Sequence, residues 1–490
     1  MRFKVKKIKI SAGRPIVFLN KNAAAKLNVY VNDRVAILSE TQKIFAIVDI
    51  IKDSLNSDEI YLSEEALDFL RIKAGNFVEV TDALEPKSNE YILKKMNGKK
   101  LNKKEIFAII REIVGNHLSE AEISYFVSAV YHHGMDMEET KYLIEAICKT
   151  GQILSWHSKQ IADKHSIGGI PGNRTTPIVV SICASDGIIM PKTSSRAITS
   201  AAGTADTIET IARVDFSAEE LKKIVKKTNA CLAWGGSLGL APADDKLIRV
   251  ERLLNIDPES QLIASILSKK LAVGSKYVLI DIPFGKGAKV NLKKAKILKE
   301  KFLRLSKYFK IKMEVTITDG KEPIGNGVGP VLEINDVIRV LRRENPPKKL
   351  EEKSVMLAGK IIEMLGHSKK GKGMERAREL LESGAAYKKF EEIINAQEGK
   401  VRYLLPAKIK EEIKAKKRGK LIEINNQRIN YIARILGCPE NKNAGVYLLK
   451  HCGEEVREDD ALMILYSPSS DKLKGALNYY YENNNLFVIK

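Results

Sequence analysis

Two segments near the N-terminus repeat one pattern of apolar and polar positions. Val17-Phe18-Leu19-Asn20-Lys21-Asn22-Ala23-Ala24-Ala25-Lys26-Leu27 runs on through Asn32-Asp33-Arg34-Val35-Ala36-Ile37. Ile60-Tyr61-Leu62-Ser63-Glu64-Glu65-Ala66-Leu67-Asp68-Phe69-Leu70 runs on through Ala74-Gly75-Asn76-Phe77-Val78-Glu79-Val80. Each copy reads as strand, short helix, polar turn, strand. Residues 1–84 are therefore expected to close into a small pseudo-symmetric β-barrel with a structural or assembly role, since nothing in them carries catalytic chemistry.

From 85 to 160 the apolar period becomes helical. Ile106, Ile109, Ile110, Ile113 and Val114 recur on one face after Leu101-Asn102-Lys103-Lys104-Glu105. Ser119-Glu120-Ala121-Glu122 has capping-box spacing, and Met137-Glu138-Glu139-Thr140 announces another helix. This helical domain is expected to be completed by helices elsewhere in the chain. Residues 161–345 alternate strands and helices, with buried strands predicted at Ile188–Met190, Ala230–Trp234, Tyr277–Ile282 and Met313–Thr318, and a buried helix from Thr176 to Ala184. The Asn345-Pro346-Pro347 break opens a helical segment over 346–400. Alternating stretches at Ala444–Leu448 and Asp460–Tyr466 mark a β-rich lobe over 401–490. The expected fold is α+β and multidomain: an N-terminal β-barrel, a helical domain, a central α/β domain with a mixed sheet, and a β-rich C-terminal lobe. The barrel repeat resembles the double-psi barrel halves of AAA-ATPase substrate-binding domains.

Composition removes several function classes. No apolar run is long enough to span a bilayer, and the N-terminus has no signal-peptide core. Five cysteines without CxxC spacing argue against a disulfide framework or zinc site and point to the reducing cytoplasm. The net charge of +21 is spread along the chain in pairs such as Lys94-Lys95 and Lys222-Lys223, and only 6% of residues are aromatic. A nucleic-acid partner is not expected on that distribution; an anionic substrate would still gain from the positive field.

The chemistry concentrates in two loops. Asp163-Lys164-His165-Ser166-Ile167-Gly168-Gly169-Ile170-Pro171-Gly172-Asn173 precedes the buried helix, and reads as an oxyanion cradle in which glycines allow close approach, Lys164 supplies charge and Ser166 a hydroxyl. Seen alone, a glycine-rich turn is more often just a turn. The second loop, Pro191-Lys192-Thr193-Ser194-Ser195-Arg196-Ala197-Ile198-Thr199-Ser200 followed by Gly203-Thr204-Ala205-Asp206, shifts the balance, because two hydroxyl-rich loops at consecutive helix starts suggest one site on a sheet edge. Walker A, HExxH and GxSxG motifs are missing, and Gly325-Asn326-Gly327-Val328-Gly329 has the wrong spacing for a dinucleotide loop. Lys289, after a predicted strand, is either a solvated loop lysine or a cleft lysine.

Lys164-His165-Ser166-x-Gly168-Gly169, Ser194-x-Arg196, Gly203-Thr204-x-Asp206-x-x-Glu209, Leu240–Asp244 and Ala264–Lys270 together resemble the thymidine and pyrimidine nucleoside phosphorylase family over residues 86–490. Ser195 and Ala197 stand where those enzymes carry glycines, and the loop Gly169–Thr176 also differs. No arginine cleanly matches the one that grips the pyrimidine, although Arg249 and Arg252 lie near. These departures, with the N-terminal barrel, resemble the archaeal branch of the family that acts on AMP. The resemblance implies phosphorolysis of nucleoside 5′-monophosphates (AMP, and also CMP and UMP) to free base and ribose 1,5-bisphosphate. Inorganic phosphate would be co-substrate, with no cofactor and no metal, in a homodimer or larger homo-oligomer. It implies Lys164, Ser166, Thr176, Ser194 and Thr204 as the phosphate site. Gly169, Ser195, Arg196, Ala197, Ile198, Thr199, Ser200, Thr204, Ser265 and Lys289 would form the nucleotide site, with His165 as a base contact. Asp257 is implied as proton donor, a residue that otherwise reads as a helix cap ahead of Pro258. The alternatives are a nucleoside phosphorylase, a basic nucleic-acid-binding protein that keeps the fold without the chemistry, and a phosphoribosyltransferase of related fold.

Overall fold

The computed structural model of the chain describes residues 1–52, 55–83, 85–197, 200–483 and 485–490. These fall into two compact units, residues 1–150 with 242–264, and residues 151–241 with 265–490.

In the first unit, β1 (Arg2–Lys6), β2 (Ile16–Asn20), β3 (Arg34–Leu38), β4 (Lys43–Ile51), β5 (Glu59–Leu62) and β6 (Phe77–Asp82) close a barrel in the order β1-β5-β2-β4-β3-β6. The repeat is real. β2, α1 (Lys21–Leu27) and β3 form one copy, and β5, α2 (Glu64–Leu70) and β6 the other. β2 runs parallel to β4 as β5 does to β1, while β3 and β6 lie antiparallel to those same partners. Alternation sends Val17, Leu19, Ile60 and Leu62 inward. Both helices stop on a left-handed residue at matching positions, Asn28 (φ 52°) and Arg71 (φ 53°).

Four helices follow: α3 (Ser88–Met96), α4 (Lys103–Val114), α5 (Glu120–His133) and α6 (Met137–Lys149). Capping boxes start three of them, at Asn102/Glu105, Ser119/Glu122 and Asp136/Glu139. Each satisfies two N–H groups that the helix itself leaves without partners. The distant segment Pro242–Leu254 returns to pack on α4 and α5, burying Leu247 and Val250. Its Lys246 donates to the carbonyls of Ile113 (2.8 Å) and Val114 (2.9 Å), capping the negative end of α4. Burial pushes that ammonium down to about 8.

The second unit is built on β7 (Ala162–Ser166), β8 (Met190–Ser194), β9 (Ala230–Trp234), β10 (Tyr277–Phe284) and β11 (Lys312–Asp319). They lie in the order β11-β10-β7, joined through an Ile161–Ile189 bridge to β8-β9. All of these pairings are parallel, so the central sheet is parallel and not mixed. The reason lies in the connections: helices separate every pair of successive strands, including α7 (Thr175–Ser185) between β7 and β8, and crossovers of that kind return each strand in the same direction. From Thr175 to Ala184 every residue of α7 is buried, as expected of a helix apolar on all sides. It shares one core with the helices Lys348–Leu365 and Ala385–Ala396, so the chain beyond the Pro346-Pro347 break belongs to the same hydrophobic cluster.

The C-terminal lobe contains two small antiparallel sheets and two helices, Asn426–Leu436 and Ser470–Glu482. Its core includes three residues from outside the lobe: Ile170 from the first hydroxyl-rich loop, Ala201 just after the second, and Val328.

Candidate active site

Asp163, Lys164, His165 and Ser166 are strand and not loop: they occupy β7, with Gly168 to Asn173 forming the turn that follows. Asp163, Lys164 and Ser166 sit in a buried strand here because each has a polar partner. Asp163 is fully buried between Lys192 (3.3 Å) and Lys270 (2.6 Å), and accepts the Lys164 N–H at 2.7 Å. Although burial opposes it, the two ammonium groups hold the Asp163 carboxyl below its ordinary value.

Lys164 is 1% exposed and donates to Thr175 Oγ1 (2.5 Å) and Thr176 Oγ1 (3.3 Å), the first residues of α7. Burial lowers its pKa to about 7; Asp281 pulls it back up, while Lys353, Lys192 and Arg174 press it down. Desolvated cations around one carboxylate make a site that an added anion would neutralise. Ser166 Oγ donates to Asp281 Oδ2 at 2.8 Å, so the hydroxyl expected to face phosphate is directed at a carboxylate here. Thr318 Oγ1 (2.6 Å) and Lys353 Nζ (3.1 Å) complete the partners of Asp281. Sequence reasoning missed Asp281 and Lys353. The available signal was a lone acid in the otherwise apolar run Tyr277–Phe284.

The second element also begins as strand: Met190–Ser194 is β8, displaced from the predicted Ile188–Met190, and the loop starts at Ser195. Ser194 Oγ donates to the Ala233 carbonyl (3.3 Å). Asp206 closes the loop's base, its Oδ2 accepting from the Ala197 (2.6 Å) and Gly203 (2.8 Å) N–H groups. Arg196 turns toward Glu209 (2.5 and 2.7 Å) and lies over Trp234 at 4.7 Å, so its guanidinium serves the loop's scaffold. Glu209, held by Arg196 and by Lys442, is pulled down to about 2. At Gly203 a Cβ would come within 2.5 Å of the Ser195 carbonyl oxygen, a backbone atom that cannot swing aside. Gly203→Ala should therefore cost about 1–3 kcal/mol in a urea unfolding titration.

The two loops meet. A Cβ on Gly169 would stand 3.9 Å from Ser200 Cβ, and one on Gly168 (φ +94°) would stand 2.9 Å from Lys289 Cβ. Gly169, Ser200 and Lys289 are thus gathered beside the turn after β7. Arg174, another residue the sequence did not reveal, pairs with buried Glu333 and reaches back to the Ala202 carbonyl and to Thr204 Oγ1 (3.4 Å). It ties the first loop to the second. Ile198 and Thr199 lie outside the described residues. His165 is half-buried, and desolvation with Lys270, Lys192 and Lys164 nearby drives its pKa well below the usual value, leaving a neutral imidazole. Ser265 sits in the helix Glu259–Val273, its Oγ accepting from Lys269 Nζ at 3.3 Å. Asp257 is half-buried just ahead of that helix, in the first unit, whereas the loop residues belong to the second. Arg249 donates to the Gly13 carbonyl (3.1 Å), and Arg252 is exposed. Among the described residues no His, Cys, Asp and Glu cluster could hold a metal ion, and no helix is long and apolar enough to cross a membrane.

Residues 89–151 match the helical bundle domain of the glycosyl transferase family, 158–387 its α/β domain, and 420–486 the pyrimidine nucleoside phosphorylase C-terminal domain. The solved anthranilate phosphoribosyltransferase (TrpD) from Thermus thermophilus is similar in fold, with a TM-score of 0.52 at 17% identity over 63% of this chain and 99% of that one. The AMP phosphorylase of Pyrococcus abyssi is 48% identical over 97% of this chain and 96% of its own length. That of Methanocaldococcus jannaschii is 44% identical over 94% of this chain and 93% of its own. On that extent of likeness, the chain belongs to the AMP phosphorylase family.

Proposed function

We propose that this chain catalyses phosphate-dependent cleavage of AMP, and of CMP and UMP, yielding the free base and ribose 1,5-bisphosphate. The observation that carries the reading is the meeting of two polar loops beside the turn that follows Lys164, where Gly169, Ser200 and Lys289 are gathered. One anion is held by Lys164, Thr176 and Thr204, with the Ser166 and Ser194 hydroxyls turning to it from Asp281 and the Ala233 carbonyl, and a second by Ser195, Ser200 and Lys289. A phosphate oxygen attacks the anomeric carbon as the bond from that carbon to the base nitrogen breaks. The base leaves with the proton of the Asp257 carboxyl, and the developing positive charge on the ribose lies close to the attacking phosphate. Gly169 and Ser265 line the nucleotide, and neutral His165 hydrogen-bonds the base.

A substrate panel tests this directly. Adenine release from AMP should need phosphate and exceed release from adenosine by about 10²-fold or more, because a bound 5′-phosphate supplies binding energy that adenosine lacks. Equal or faster turnover of uridine or thymidine would make the protein a nucleoside phosphorylase. Phosphorolysis of none of them, together with salt-sensitive RNA binding, would make it a binding protein.

A further inference from the structure

The C-terminal lobe has no part in the chemistry above, yet one of its helices touches every loop assigned to the nucleotide. On Asn426–Leu436, residues 426 and 430 are one turn apart and share a face. Asn430 Oδ1 accepts the Ala201 N–H at 2.7 Å, immediately after the second loop. Asn426 Nδ2 donates to the Gly320 carbonyl (3.0 Å), and its backbone N lies 3.4 Å from where a Cβ on Gly287 would stand, two residues before Lys289. Ile170, from the first loop, and Ala201 are buried in this lobe's core together with Ile429 and Ala433. Just upstream, Glu423 pairs with Lys286 at 2.9 Å.

Such contacts fix loop position. An anion site made of hydroxyls and N–H groups depends on their being held in place before the anion arrives, because loose donors must be ordered at binding. Ala197 and Gly203 are held by Asp206, and Ala201 is held by Asn430. We infer that Asn430, with Asn426 beside it, is a positioning residue for the nucleotide's 5′-phosphate, so that the C-terminal lobe sets the preference for nucleotide over nucleoside. This rests on the reading of that loop as the 5′-phosphate site.

Asn430→Ala keeps a helix-compatible residue and removes the acceptor. KM for AMP should rise roughly tenfold, as expected for one lost hydrogen bond that orders the site. KM for phosphate and turnover of adenosine should stay within about twofold of the wild type. The inference is overturned if Asn430→Ala leaves KM for AMP unchanged or if KM for phosphate rises in parallel. Failure of the underlying reading shows separately, as a wild-type enzyme that does not prefer AMP to adenosine.

Discussion

Lys164→Met should lower kcat/KM for phosphate by about 10²–10³-fold, the loss typical of removing one preorganised donor to a reacting anion, while leaving thermal stability unchanged or raised. Methionine fills the same slot without a charge to desolvate, and Thr175 keeps its own bond to the Gly172 carbonyl. The pH dependence follows from a lysine whose pKa is about 7. Because kcat/KM reports the free enzyme, phosphate utilisation should fall as pH rises through about 7 and the ammonium loses its proton. The methionine variant should lack that alkaline limb. Stability moves the other way. Between about pH 7 and the ordinary lysine value of about 10.4, the unfolded chain holds this proton and the folded chain does not. Stability therefore increases with pH across that window, and Lys164→Met should flatten the increase in melting temperature. An unchanged phosphate dependence would remove Lys164 from the cradle.

Asp257→Asn is expected to reduce kcat for AMP by about 10²–10⁴-fold, the usual worth of a positioned general acid. The substitution is chosen because asparagine caps a helix about as well as aspartate. If Asp257 only caps the helix that follows, activity and melting temperature both survive. If it protonates the departing base, the melting temperature survives and kcat does not. The loss should shrink for a substrate whose leaving group needs no proton, such as a 4-nitrophenyl riboside 5-phosphate. Near wild-type turnover of AMP at every pH would exclude the role.

Regular elements with ordinary periodicity were legible from the chain. The barrel repeat, the box at Ser119/Glu122 and the strand Ala230–Trp234 all stand where patterning puts them. β7 was not legible as a strand, because Asp163, Lys164 and His165 look like solvent-facing residues until Lys192 and Lys270 arrive from elsewhere to pair with Asp163. The same physics hid Arg174, Asp281 and Lys353, whose partners Glu333, Ser166 and Pro171 are far apart in the chain. Short-range patterns record propensity; a buried ion pair is a long-range fact. Asn430 was hidden more deeply still, as one asparagine on an ordinary amphipathic helix.

The return of Pro242–Leu254 to α4 and α5 also governs how the chain can be made. A ribosome releases residues 1–150 well before that helix. The ring of the barrel can close early, since its six strands end at Asp82. The bundle beside it cannot: the surface that Leu247 and Val250 will cover stays open until nearly a hundred further residues have been synthesised. A nascent chain stalled in that interval would present exposed apolar surface to chaperones. A fragment ending at Thr150 should be a substrate for them, whereas one that adds residues 242–264 through a short linker should not.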